Sequence, residues 1–415
     1  MTTGRLLWQV LVGLLLTATL AGLAAAPAAD QKTAGGERPG NPHLHGPQPK
    51  PIDPPAPEEI HSAIQRGVGF LLKRQNPNGS WGSPYTLRPI EVFAPVPGAH
   101  HAFRAGTTGL CVAALVEAGS GRADVASALD RAEAWMLREL PNLRRATPQA
   151  IYNNWGHAYS IQALVRLLRR PGLDEARKEK LRQLVRQQIE MLQRYEFLDG
   201  GWAYYDFAAH TQKPSGSTIS FVTATVLVAL HEAKQAGFDI PEPIVQRGTA
   251  SILRQRKPDF SYLYGEYLKY APMHPVNRPA GSLGRSQVCN LAMRLWGDTE
   301  VTDAVVRLWL DRLFARNLWL DMGRKRPIPH ESHFAIAGYF FYYGHYYAAR
   351  CIELLPPEQR TAYQSHLAHV LLRLQEKDGS WWDFPLYDYH QQYGTAFALM
   401  SLVRCLSVAD AAEKP

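Results

Sequence analysis

Two histidines stand in matching settings, His157 in "NNWGHAY" and His345 in "FYYGHYY". Each follows a glycine and sits among aromatics. Imidazole can give or take a proton near neutral pH, so a matched pair suggests acid–base chemistry. The alternative is two buried, satisfied core histidines. Tyr343 and Tyr393 complete a candidate catalytic set with His157 and His345. Asn153, Asn154, Trp155 and Trp202 would crowd the same place, a surface suited to an apolar ligand, a stacked sugar ring or a cation. Arg285, Glu331, His333, Asp388 and His390 lie just ahead of apolar segments and could place charge at the mouth of a cavity. No residue set has metal-ligand spacing, and nothing points to a cofactor.

What positions these residues is a recurring phrase. "GTTGLCVAAL", "WGHAYSIQAL", "FVTATVLVAL", "GRSQVCNLAM", "YGHYYAARCI" and "YGTAFALMSL" share one apolar and small-residue frame. Their lead positions are Thr108, His157, Thr223, Ser286, His345 and Thr395. The apolar positions recur three and four apart, the period of a helix that is buried nearly all round. Between the phrases run charged, one-striped segments at roughly 124–139, 177–195, 243–256, 300–316 and 358–375, and another at 59–74 precedes the first phrase. Six inner helices ringed by six outer ones predict an all-α fold, a closed α/α toroid of six helical hairpins over 58–407. The first helix is outer and the last inner, so the chain ends must pair to close the ring. His157 and His345, in the second and fifth inner helices, should then face each other across it, rings pointing inward, with Tyr343, Tyr393 and Asn154 within reach. The hydroxyls at the other lead positions read as helix-end hydrogen bonds.

The loops agree. "QNPNGSWG" (75–82) and "QEKDGSWW" (375–382) are near copies, "QRYEFLDGGWAYYDF" (193–207) reads as a stretched copy and "QRKPDFSY" (255–262) as a degraded one. This Gln-x-x-x-Gly-x-Trp loop, followed by a Thr-Ala-led helix, resembles the repeat of terpenoid cyclases and protein prenyltransferase beta subunits. The resemblance implies the toroid, with Gln and Trp bracing helix ends, but not the family activities. Cyclases of the squalene-hopene type carry a DxDD acid motif just before such a Thr-Ala. Here those positions are Ile219-Ser220-Phe221-Val222 and Gln391-Gln392-Tyr393-Gly394. Prenyltransferases hold zinc with Asp-x-Cys and a His ahead of the last lead Thr, where Gly394 stands. The thioester loop of complement-like toroids is also missing.

The ends have another character. Arg5 precedes the apolar run "LLWQVLVGLLLTATLAGLAAA" and small residues, which predicts a signal peptide over 1–26 and export to the periplasm or beyond. An uncleaved signal is the one expected route to membrane contact. Residues 27–57 hold nine prolines and little apolar content, a linker, and 408–415 form a tail. The formal charge of +8 is scattered rather than clustered, which argues against nucleic acid. Four cysteines in apolar helical segments are expected to be free and buried.

Three functional readings remain open at this level. The cavity binds or transforms a lipid- or isoprenoid-like molecule. Alternatively the chain is an exported polysaccharide lyase or hydrolase, for which "YNNWGHAY" has the Asn, His and Tyr to neutralise a uronate and move its proton. Or it is a non-catalytic scaffold.

Overall fold

A computed structural model describes residues 42–86, 94–209, 211–278, 280–330 and 335–406. The expected signal segment, most of the linker, the tail, Glu331 and His333 lie outside the described residues.

The outer helices are α1 (Pro57–Lys73), α3 (Ala123–Glu139), α5 (Glu175–Arg194), α7 (Glu242–Leu253), α9 (Asp303–Ala315) and α12 (Pro357–Leu372). The inner ones are α2 (Pro97–Ala118), α4 (Asn153–Leu167), α6 (Ser220–Gln235), α8 (Leu283–Leu295), α11 (Phe341–Ile352) and α13 (His390–Val403). A short α10 (Asn317–Asp321), not foreseen from the sequence, follows α9. Each inner helix packs on the next, α13 returns to α2, and α1 seats against both. The described chain contains no strand. It is an α/α toroid, as its two helix types require: α4 buries all but one of its residues and α2 and α6 most of theirs, whereas α5 buries only one stripe.

The loops show why the ring closes. In the first, the Trp81 backbone N–H donates to Thr108 Oγ1 at 3.1 Å and its indole N–H to the Leu71 carbonyl at 2.8 Å. Gln75 Nε2 donates to the carbonyls of Gly79 (3.0 Å) and of Ala128 on the next outer helix (2.8 Å). The last loop repeats every bond. Trp381 reaches Thr395 and Leu371, and Gln375 reaches Gly379 and Ala63 on α1. An arginine from that next outer helix completes each joint, Arg131 on Gln75 and Arg66 on Gln375. Gly79 (φ 95°) and Gly379 (φ 90°) lie against the backbone carbonyls of those same arginines, where a side chain would collide.

The "stretched" loop is not stretched. Glu196, rather than Gln193, takes the glutamine place six residues before Trp202, and it grips Arg247 on α7 at 2.7 Å. The degraded loop reverses the charge. There Arg256 bonds Asp298 at 2.7 Å ahead of α9, and Phe260 adopts the glycine-like φ of 59°.

Two further features bear on function. At the C-terminal ends of the inner helices six side chains close a charge-alternating cycle. Glu117 meets Arg166 at 2.7 Å, Arg166 meets Glu232 at 2.5 Å, and Glu232 meets Arg350. Arg350 meets Glu353 at 3.0 Å, Glu353 meets Arg404 at 3.1 Å, and Arg404 returns to Glu117. The described part of the Pro-rich stretch, 42–56, lies against α9: Arg312 donates to the carbonyls of His43 (3.3 Å) and His45 (3.1 Å). All four cysteines are free thiols, but Cys405 is only partly buried, because it follows the last turn of α13.

Candidate functional site

The N-terminal ends of the inner helices and the loops that enter them enclose a cavity of about 370 Å³. Its helical wall comes mainly from positions two before or two after the lead residues of α2, α4, α6, α11 and α13, joined by Ala102, Phe103 and Thr107 of α2. Gly106 and Leu110 of α2, Trp155 and Tyr159 of α4, Phe221 of α6, Tyr343 of α11, and Tyr393 and Phe397 of α13 all face it. Residues four apart share a helix face, whereas two positions along a helix turn the side chain by roughly 200°. The lead residue therefore points away from the cavity, into the seam between inner and outer helices. That is why Thr108, Thr223 and Thr395 meet the backbones of the loop tryptophans.

The same geometry relocates the two histidines, and here the sequence expectation is corrected. His157 Nδ1–H donates to Gln188 Oε1 on α5 at 2.7 Å, its Nε2 accepts from Asn153 at 3.4 Å, and its ring stacks on Tyr195. His345 Nδ1–H donates to the Phe341 carbonyl at 2.7 Å and Nε2 accepts from Asn317 on α10 at 2.8 Å. Neither ring lines the cavity. Burial lowers both imidazoles to a pKa of about 4, so they are neutral at pH 7. His157→Ala and His345→Ala should each destabilise the fold by a few kcal/mol through lost packing and unpaired amides, leaving ligand affinity unchanged. Thermal melts run beside a ligand titration check this. Unchanged melting with lost binding would return the histidines to the site.

Of the other residues singled out in the sequence, Trp155, Tyr343 and Tyr393 do come together on the cavity. Trp155 stacks on Tyr159 at 5.9 Å, and the Tyr343 hydroxyl lies 2.8 Å from Thr225 Oγ1. Asn154 is instead structural, its amide donating to the Ala203 carbonyl at 2.7 Å. Trp202 is a loop tryptophan, its indole N–H on Leu192. Arg285 is buried one layer back, its guanidinium 5.1 Å from the ring centres of both Tyr264 and Phe340. Asp388 pairs with Arg74 at 2.6 Å across the ring closure. His390 sits against the Tyr387 carbonyl at 2.6 Å.

The loops supply what the helical frame did not reveal. Tyr204, Tyr205, Tyr264, His330, Tyr339 and Phe384 all reach the cavity. His330 donates Nδ1–H to the Ala335 carbonyl at 2.7 Å, which leaves Nε2 to accept the Tyr339 hydroxyl at 3.0 Å. Beyond it run the hydroxyls of Tyr264 and Tyr204. The only advance signal was the density of tyrosine in the loop segments. Among the described residues, 14 of the 21 that line it are Phe, Tyr or Trp, and none of the 21 is charged. This lining can stack on an apolar body and offers it a few hydroxyls.

Fold and site thus define an α/α toroid with an aromatic cavity. No family model matches the chain. The α-1,6-mannanase GH76A from Salegentibacter sp. HEL1_6 shares its fold, with a TM-score of 0.51 at 9% identity over 83% of this chain and 98% of the other. The type II terpene cyclase MstE from Scytonema gives a TM-score of 0.48 at 12% identity over 84% and 98%. In sequence, 98 residues are 26% identical to an alpha-2-macroglobulin of Thermotoga maritima, 23% of this chain but only 6% of that much longer protein.

Proposed function

We propose that this is an exported toroid that binds an apolar, lipid- or isoprenoid-like molecule in its aromatic cavity, without the usual cyclase or prenyltransferase chemistry. The observation that carries the reading is the lining itself, two-thirds aromatic and uncharged among the described residues. Burying apolar surface there contributes roughly 25 cal/mol per Å², so a hydrocarbon of modest size gains several kcal/mol before any polar contact. The apolar run after Arg5 supports export.

The test is organic extraction of the natively purified protein, followed by mass spectrometry. We expect an apolar compound at close to one per chain. It should be absent from Leu110→Trp, in which the indole fills the cavity. An empty extract, with uronate or mannan oligosaccharides binding instead, would replace this reading with the glycan one.

A further inference from the structure

One carboxyl group lies concealed in the cavity wall. Asp383 is fully buried behind Phe384 and Tyr393, both of which face the cavity. Its Oδ1 accepts the Tyr393 hydroxyl at 2.7 Å, and its Oδ2 accepts the backbone N–H of Tyr342 at 3.0 Å. Among the described residues no cation pairs with it. Arg324, the nearest, turns to Asp321 at 2.5 Å, and the Lys325 ammonium turns to Glu376 at 2.5 Å. Among the described residues, these four charges and the phenols of Tyr342, Tyr393 and Tyr339 are the titratable groups around it. Asp206, equally buried in an equivalent loop, has its own arginine, Arg145 at 3.0 Å. The missing partner therefore belongs to Asp383 and not to the loop.

We propose that Asp383 and Tyr393 form a reversible anchor for one oxygen function on an otherwise apolar ligand. The protonated pair offers the cavity an O–H donor, and the ionised pair offers it an acceptor.

The argument is one of hydrogen-bond bookkeeping. When Asp383 is ionised, the Tyr393 hydrogen is committed to Oδ1, and only the phenol oxygen faces the ligand. When Asp383 is protonated, Oδ2 still holds the Tyr342 N–H, so the new hydrogen sits on Oδ1 and points at the phenol oxygen. The Tyr393 hydrogen is then released, either to the Phe384 carbonyl at 3.3 Å or to a ligand oxygen. Burial raises the Asp383 carboxyl to about 7, so both forms are reached near neutral pH. A ketone, ester or ether oxygen would be held by the protonated pair alone, whereas an alcohol could be held by either.

The inference rests on the apolar-cavity reading, and the experiment separates the two. Calorimetric titrations at pH 5.5 and 8.5 would use geranylacetone, an isoprenoid ketone that only accepts hydrogen bonds, and farnesene, a hydrocarbon. We expect geranylacetone to bind about tenfold more weakly at pH 8.5, the value of one hydrogen bond of about 1.4 kcal/mol, and farnesene to be unaffected. Asp383→Asn should keep the tight ketone affinity at both pH values, because its amide N–H takes the place of the acid hydrogen. Tyr393→Phe should bind the ketone weakly at both. If farnesene binds and the wild-type ketone affinity does not change with pH, the anchor is wrong and the cavity reading stands. If neither probe binds at either pH, both fall.

Discussion

Deleting α1, residues 57–73, is expected to abolish cooperative folding of the entire ring. Ile60, Ile64, Val68, Phe70 and Leu71 of this helix are buried, and α1 receives the last loop through Arg66 and the Ala63 carbonyl. Burying one such side chain contributes about 1.5–3 kcal/mol, so the helix as a whole contributes on the order of 10 kcal/mol. That equals the total stability of an ordinary domain. The loss is not local, because α13 and α2 both lose the outer helix that seats against them and no hairpin buries its own core. Far-UV circular dichroism with a thermal ramp provides the check. Full helicity with an unchanged transition would mean that the other hairpins hold together without closure.

The second large effect concerns the charge cycle at the opposite end from the aromatic cavity. Glu232 bridges Arg166 and Arg350, and its side chain is 11% exposed. Removing one member of a buried pair strands the other charges and typically costs 3–5 kcal/mol. Glu232→Gln should lose about that much in chemical denaturation at pH 7. Its direction with pH follows from the carboxyl. Burial alone would raise its pKa, but Arg166 and Arg350 overcome this and hold it at about 2, below the ordinary 4.5. The stabilisation is therefore complete above pH 4.5 and is lost as pH falls toward 2. The gap between wild type and variant should accordingly close in acid. Equal stability at pH 7 would show that the cycle contributes nothing net.

The helix pattern was legible because burial writes itself into periodicity. The phrase helices and the charged segments between them fall where α2 to α13 lie, and the two copied loops mark the closure in the sequence itself. The site was less legible, for a physical reason. Three of the six lead residues, Thr108, Thr223 and Thr395, repeat because each meets a loop, at Trp81, Trp202 or Trp381. His157 and His345 occupy that recurring position with their rings turned into the seam between helices and not toward the cavity. The wall positions on either side vary freely, from Gly106 to Trp155 to Tyr393, and variation has no period to detect. Tyr264, His330 and Tyr339 come from aperiodic loops, where neighbourhood in space leaves no trace in spacing. Tyr343 and Tyr393 were found partly because their aromatic company was conspicuous.

The closing joint between the 375–381 loop and α1 also limits how such a chain can change. An open stack of hairpins can grow or shrink by a unit, since only its caps feel the difference. A ring whose last loop grips the first outer helix has a fixed circumference. One added hairpin would pull Gln375 away from both Ala63 and Arg66. Change by duplication is closed to it, and change within the helices disturbs neighbours on both sides. What stays adjustable is the length and content of the six loops entering the inner helices. Those segments carry half of the aromatic cavity. The architecture holds its frame constant and leaves ligand choice to the part of the chain that can vary without reopening the circle.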